Sequence, residues 1–99
     1  MAMSKPSGGY RVKIGRSAVR DLSSGKLPDG VAAAVISFIE STLRYNPHRV
    51  GKPLREPLEG LWSARREEYR VLYAIDTSTM TLVVVAVVHR SDAYRPRHY

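Results

Sequence analysis

Between positions 69 and 76 every second residue is bulky and apolar, and the residues in between are as a set smaller and more polar, with Arg70 and Asp76 among them. Successive side chains of a strand point to opposite faces of its sheet, so this spacing predicts a strand with one buried face and one open face. The bulky set, which we expect to pack against a helix, is Tyr69, Val71, Tyr73 and Ile75. Residues 82–88 are apolar at every position, and this pattern predicts a central strand that is buried on both faces.

The first half of the chain predicts one strand and two helices. Apolar and basic residues alternate over residues 10–15, which indicates a short strand. Ser17 is a suitable N-cap for a short helix over residues 18–24, in which Val19 and Leu22 face inward and which the following glycine ends. Apolar residues then recur at three- and four-residue steps between positions 31 and 43, which is typical of a helix packed on a core.

This second helix is predicted over residues 30–45, with Asp29 as its N-cap and Pro47 forcing its end. Residues 48–59 contain two prolines and a glycine, so we expect an irregular, basic connection there. A strand, two helices and a three-stranded antiparallel meander completing one sheet make an α+β fold. We expect a single domain over residues 10–99, after a polar and flexible leader at residues 1–9.

Antiparallel pairing within the meander would bring its arginines to one end of the sheet. A turn that leaves residues 78–80 unpaired places Arg70 opposite Val88 and on the same face as Arg90. A four-residue turn places His89 on that face instead, and the pattern leaves both registers open. In either case this end of the sheet is the predicted functional site.

Charge adds a functional hint to this arrangement. The 99 residues include 16 Lys and Arg, most of them Arg, against nine Asp and Glu, for a formal net charge of +7. Guanidinium groups bind phosphate oxygens bidentately, so a nucleic-acid or acidic-protein partner is one interpretation. A solvated surface that is merely rich in arginine is the other interpretation.

The composition also excludes several classes of protein. The chain has no cysteine, which excludes disulfides, thiol catalysis and Cys-based metal sites. Its three histidines are too scattered to suggest a zinc site, and we expect no metal and no cofactor. The longest apolar run, residues 82–88, is too short to span a membrane, and the N-terminus lacks a secretory apolar segment, so a cytoplasmic protein is predicted.

Three motifs, in this order, resemble the RelE branch of the RelE/ParE toxin superfamily over about residues 10–94. They are the linker NPHRVGKPLREPLEG, the hairpin SARREEYRVLYAID and the ending VVHRSDAY. The resemblance implies a small bacterial toxin that cleaves mRNA in the ribosomal A site and is held inactive by a cognate antitoxin. The implied reaction is metal-independent: a ribose 2′-hydroxyl attacks the adjacent phosphate in line, which leaves a cyclic phosphate and a free 5′-hydroxyl.

The resemblance also implies roles for particular residues. Arg70 and Arg90 match the family's strand arginines, which would stabilise the charge that develops on the phosphate. Tyr94 matches the family's C-terminal tyrosine, which would stack on a base or position the 2′-hydroxyl. Arg65 is a further catalytic phosphate contact. The candidate RNA-binding residues around these are Arg66, on the other face of its strand, with Lys52, Arg55 and Arg95.

Proton transfer is the least determined step of the implied reaction. Well-studied relatives carry lysines at the positions that hold Leu61 and Ser63 here. His89 is a candidate general base, because a histidine side chain ordinarily titrates near neutral pH. Arg65 with Tyr94 is the alternative, if a ribosomal group assists.

Each arginine also has a purely structural interpretation. An exposed ion pair contributes about 0–1 kcal/mol, so pairing with a nearby carboxylate would need no function. The candidate pairs are Arg70 with Glu68 or Asp76, Arg90 with Asp92, and Arg65 and Arg66 with Glu67 and Glu68.

Two other functions fit the same fold. A ParE-like toxin inhibits DNA gyrase and needs no RNA-cleaving residues, and the absence of the family's lysines keeps this alternative open. A catalytically weak toxin would act mainly as an antitoxin-bound transcriptional co-repressor. In each case the expected partner is an acidic or amphipathic antitoxin segment, which lies along the helices or the basic face of the sheet, and operator DNA is contacted only through that complex.

Overall fold

The computed structural model describes residues 9–92, which form a five-stranded sheet with helices packed against one face. The strands are β1 (Arg11–Ile14), β2 (Lys52–Pro53), β3 (Trp62–Arg66), β4 (Tyr69–Asp76) and β5 (Thr81–His89). The helices are α1 (Arg16–Ser23), α2 (Val31–Ser41) and α3 (Pro47–Val50), with single 3-10 turns at Leu43–Tyr45 and Arg90–Asp92. Residues 1–8 of the predicted leader (residues 1–9), and also Tyr94 and Arg95, lie outside the described residues.

The strand order across the sheet is β1-β5-β4-β3-β2, and the meander β3–β4–β5 is antiparallel, as predicted. β1 lies parallel beside β5 and pairs with its residues 81–84. The α+β class is confirmed, but the prediction of an irregular segment over residues 48–59 is wrong at its start, because α3 and β2 form there. A proline is tolerated in β2 since this strand lies at the edge of the sheet.

α2 packs its apolar stripe on the sheet, as predicted. Val35 and Ile39 are fully buried in one cluster with Val71 and Tyr73 of β4. The predicted N-cap Asp29 is wrong: the cap is Gly30, whose φ of 83° lies in the left-handed region that glycine adopts without strain. The helix is also shorter than predicted, because its last turn is continued by a 3-10 turn.

α1 begins earlier than predicted, and Ser17 lies inside it rather than capping it. Leu22 packs against the core as predicted, but Val19 is 49% exposed and that expectation is wrong. Ala18 is the fully buried residue of this helix instead. Within residues 9–92 no helix is long and apolar enough to cross a membrane.

The two faces of the sheet carry different residues. We call the face that packs on α1 and α2 the helix face; its buried residues are Ala64, Val71, Tyr73, Leu82, Val84 and Val87. We call the other the open face. It has a smaller buried cluster of Leu72, Ala86 and Val88, against which Leu54 and Val85 pack. β5 is therefore buried on both faces, as predicted.

The register of β4 against β5 combines the two alternatives left open by the sequence. The turn has four unpaired residues, 77–80, which alone would put His89 on the open face. A β-bulge at Val85 then shifts the register by one residue, so that Arg70 lies opposite Val88 on the open face and His89 lies on the helix face. The pairs that flank the bulge are Leu72–Ala86 and Tyr73–Val84.

Candidate functional site

Arg65 of β3 and Arg70 of β4 are direct cross-strand partners on the open face. The Cβ atoms of such partners lie about 4.5–5.5 Å apart, and like charges at this distance destabilise a sheet. Neither guanidinium has an ion pair within residues 9–92, where Arg70 donates one long hydrogen bond of 3.5 Å to the carbonyl of Tyr69. The pair is therefore a concentration of positive charge that is suited to bind an anion.

Arg90 lies just beyond β5 and close to this pair. Its backbone N–H donates to the carbonyl of Glu68 at 2.7 Å, so the β4–β5 ladder continues by one further hydrogen bond. Its Nε lies 2.9 Å from Oε1 of Glu68, and both side chains are more than half exposed. Arg90 begins the 3-10 turn at Arg90–Asp92 and follows Val88, the cross-strand partner of Arg70, by two residues. The predicted convergence of the strand arginines at one end of the sheet is confirmed.

The arginines differ in whether a nearby carboxylate forms an ion pair with them. Arg90 pairs with Glu68, and Arg66 pairs with Glu67 at 3.5 Å. Asp76 lies at the opposite end of β4, where hydrogen bonds from Ser78 and Thr79 lower the pKa of its carboxyl. Among the described residues the local carboxylates thus leave the Arg65–Arg70 pair without a partner.

His89 faces the other side of the sheet from Arg70. It pairs with Tyr69 across β4 and β5, and the two rings pack edge to face with centroids 5.4 Å apart. Its Nδ1 accepts a hydrogen bond from the backbone N–H of Ser91 at 3.2 Å and lies 2.9 Å from Oγ of the same residue. An N–H group only donates, so the neutral ring carries its proton on Nε2. In this tautomer Nδ1 is an acceptor and Nε2 is a donor, and the general-base role of His89 stays a prediction.

The predicted RNA-binding residues are divided between the faces. Arg66 lies on the helix face opposite Tyr69, whereas Lys52 pairs with Ser63 on the open face, one row away from Arg65. Arg55 is exposed in the loop that follows β2.

Ser63 occupies one of the two positions for which the family resemblance implies a lysine. Its Oγ is buried and has no hydrogen-bond partner among the described residues. It is on the same strand and the same face as Arg65, two residues before it. A short neutral side chain at this position supplies no cation and no base to the open face.

The contribution of α1 was missed by the sequence analysis. Asp21 Oδ2 accepts a hydrogen bond of 2.8 Å from the N–H of Val87, at the part of β5 that extends beyond β1. Arg20 and Lys26 line a cavity of about 590 Å³ beside it, which also reaches His89. No local pattern could have revealed this cluster, because it joins α1 and the turn after it to residues of β5 that lie more than 60 positions later in the chain.

A small antiparallel meander with helices on one face, which in this chain carries arginines at one end, is also found in known protein families. A family described as the ParE toxin of the type II toxin-antitoxin system parDE matches residues 12–94, and the chain belongs to this family.

Within the family the chain belongs to the RelE branch, as the motifs predicted. It is 49% identical over 86 residues to Toxin RelE and to Toxin RelG, both of Mycobacterium tuberculosis (strain ATCC 25618 / H37Rv). These alignments cover 87% of this chain, 87% of Toxin RelE and 97% of Toxin RelG. The toxin-antitoxin complex RelBE2 of Mycobacterium tuberculosis has a similar chain with a TM-score of 0.78 and 45% identity, over 87% of this chain and 97% of that chain.

Proposed function

We propose that this type II toxin is a ribosome-dependent endoribonuclease that inhibits translation by cleaving mRNA through attack of a 2′-hydroxyl on the adjacent phosphate. The observation that supports it is the Arg65–Arg70 pair, which lies on the open face without an ion pair in the described part of the chain. In-line attack adds negative charge to the phosphate oxygens. Guanidinium groups fixed beside them stabilise this transition state more than the ground state.

Arg90 is the third cation of the proposed site. Its exposed ion pair with Glu68 is weak, since such pairs contribute about 0–1 kcal/mol, and a phosphate group competes with it readily. Arg70 is held more firmly than Arg90, because its strand lies between β3 and β5 and its neighbour Leu72 is fully buried. Tyr94, outside the described residues, keeps the base-stacking or 2′-hydroxyl-positioning role that the family resemblance implies.

The chain contributes charge stabilisation more than proton transfer in this proposal. Leu61 and Ser63 replace the lysines of relatives, and His89 lies on the helix face with its proton on Nε2. Positioning of the two reacting groups by itself lowers the barrier of such a reaction by several kcal/mol. The ribosome therefore supplies the orientation of the mRNA, and the arginines supply the electrostatic stabilisation.

A cognate antitoxin is the proposed regulator. The similar chain of the RelBE2 structure is in a toxin-antitoxin complex. The net charge of +7 favours an acidic or amphipathic antitoxin segment, because complementary charge steers association. A segment that covers the open face would neutralise Arg65 and Arg70 and exclude mRNA. Operator DNA would be bound through that complex.

Inhibition of DNA gyrase is the second candidate function. The matching family is described by the ParE toxin, and the open face lacks the lysines of RNA-cleaving relatives at positions 61 and 63. Such a toxin needs a protein-binding surface but no residue that acts on a phosphate.

Expression without antitoxin in a translating extract, followed by mapping of mRNA 5′ ends, tests the proposal. The wild type is expected to cut within translated codons, and Arg70→Ala to cut about a hundredfold to a thousandfold less. Arg49→Ala removes the same charge from an exposed position on α3 and is the matched control. Intact mRNA together with blocked DNA supercoiling would contradict the ribonuclease and favour the gyrase inhibitor.

A further inference from the structure

The cavity of about 590 Å³ opens beside the free edge of β5. β1 pairs with β5 only as far as Val84, so within residues 9–92 no strand lies beside residues 85–89 on that side. The end of α1 and the turn that follows it take the place of a strand, and Asp21 binds the N–H of Val87 there. The volume is within the range of about 300–1,000 Å³ that small-molecule sites occupy.

The cavity combines aromatic rings with polar groups of both charges. Its lining includes Arg20, Lys26, Asp21 and Asp92 in addition to Tyr69 and His89. Two cations are balanced by two carboxylates, which disfavours a free phosphate. A nucleobase fits this lining better, because its edge presents donors and acceptors side by side and its ring packs on aromatic side chains. His89, whose Nδ1 accepts a backbone hydrogen bond, offers such a base an Nε2–H donor.

The cavity is adjacent to the proposed phosphate site. Tyr69 precedes Arg70 in the chain, and Val88 is the cross-strand partner of Arg70; both line the cavity. Neighbouring strands are about 4.8 Å apart, so the cavity begins one strand away from Arg70. An RNA strand that crosses the end of the sheet can therefore contact both sites, provided that one of its bases is unstacked. Sequence-specific RNA recognition uses unstacked bases of this kind.

We propose that this cavity binds one unpaired nucleobase of the RNA substrate, next to the scissile phosphate, and so determines the base preference of cleavage. This inference rests on the proposed ribonuclease function. It adds a specificity site on the helix face to the charge-stabilising site on the open face.

Titration of the antitoxin-free toxin with adenosine, guanosine, cytidine and uridine tests the binding step. Nucleosides carry no phosphate, so they do not report on the Arg65–Arg70 pair. NMR signals of the Tyr69 and His89 rings are expected to shift in a saturable way with at least one nucleoside. The double variant Arg20→Ala/Lys26→Ala is expected to bind at least about fivefold more weakly, because two hydrogen bonds to the base are lost.

The double variant Arg11→Ala/Lys13→Ala is the matched control. It removes the same two charges from exposed positions on β1, which lie outside the cavity, and it should bind nucleosides as the wild type does. The absence of a saturable shift, or an equal loss of binding in both double variants, would overturn the inference.

Mapping of mRNA 5′ ends then tests specificity. The Arg20→Ala/Lys26→Ala variant is expected to change the frequency of the preferred base beside the cut by about threefold or more, and an unchanged distribution would overturn the inference. If the wild type binds a nucleoside but cuts no mRNA, the ribonuclease proposal fails and the nucleobase site stands. If it cuts mRNA but binds no nucleoside, the nucleobase site fails alone.

Discussion

The helix face and the open face of the sheet are carried by the same strands but meet different physical demands. On the helix face, Val71 and Tyr73 are fully buried beneath α2. On the open face of the same strands, Arg65 and Arg70 stand side by side and repel each other. The difference shows how a small fold can keep two like charges next to each other. Packing of one face of a strand holds the backbone in place, and this backbone positions the charged side chains on the other face.

Truncation of a buried side chain on the helix face should cause the greatest loss of stability. Ile39 of α2 is 1% exposed, whereas Ile36, three residues earlier in the same helix, is 41% exposed. Truncation of a buried isoleucine costs about 2–5 kcal/mol, so Ile39→Ala should lower the free energy of unfolding by this amount. Ile36→Ala should lower it by less than about 1 kcal/mol. Urea denaturation measures both, and equal losses would show that α2 is not held by this stripe.

An alkaline titration should give the next largest effect. Tyr73 is fully buried, and its hydroxyl donates to the carbonyl of Pro47 at 2.6 Å. Burial raises the pKa of Tyr73 from 10.0 to about 12. Between these values the unfolded chain loses the proton and the folded chain keeps it, so the free energy of unfolding falls as pH rises. Stability that is fully present below pH 10 should decrease by about 2–3 kcal/mol by pH 12.

Tyr73→Phe is the control for this titration. The variant should be about 1–3 kcal/mol less stable at neutral pH, since the buried carbonyl of Pro47 loses its donor. Its free energy of unfolding should then fall less steeply than that of the wild type above pH 10. Parallel curves for the two proteins would assign the alkaline loss to other groups.

The smallest expected effect on stability is on the open face. Arg65→Glu replaces a pair of like charges by a cross-strand pair of opposite charges with Arg70. We expect the free energy of unfolding to rise by about 0.2–1 kcal/mol at low salt, while mRNA cleavage is lost. Arg11→Glu, at an exposed position opposite Thr81, is the control and should leave stability nearly unchanged. A less stable Arg65→Glu protein would mean that Arg65 makes a favourable contact in the wild type.

The meander could be predicted from the sequence because its signal is local. Alternation over residues 69–76 and the apolar run over residues 82–88 indicate two strands and the face that packs on α2, although Leu72 on the other face is also buried. Antiparallel pairing brings Arg65, Arg70 and Arg90 to one end of the sheet, but the bulge at Val85 determines which face of β5 lies beside Arg70.

The parts that could not be predicted depend on contacts between distant residues or on backbone conformation. The hydrogen bond from Val87 to Asp21 joins positions 66 residues apart, and no periodicity encodes it. The N-cap of α2 is Gly30 because of its positive φ, which the sequence does not reveal. By residue type the preceding aspartate is an equally good N-cap. The face of His89 depends on Val85, which is one of several similar residues in an apolar run.

Val85 carries no reactive group, but as the extra residue of the bulge it determines which face of the sheet each later residue of β5 occupies. If the same residues were paired in a regular ladder with no bulge, the remainder of the strand would turn by half a period, and the imidazole would share one surface with the Arg65–Arg70 pair. Two chains with identical histidine–arginine endings can therefore present different chemistry. Whether a bulge lies between the hairpin turn and that ending matters as much as the residues themselves.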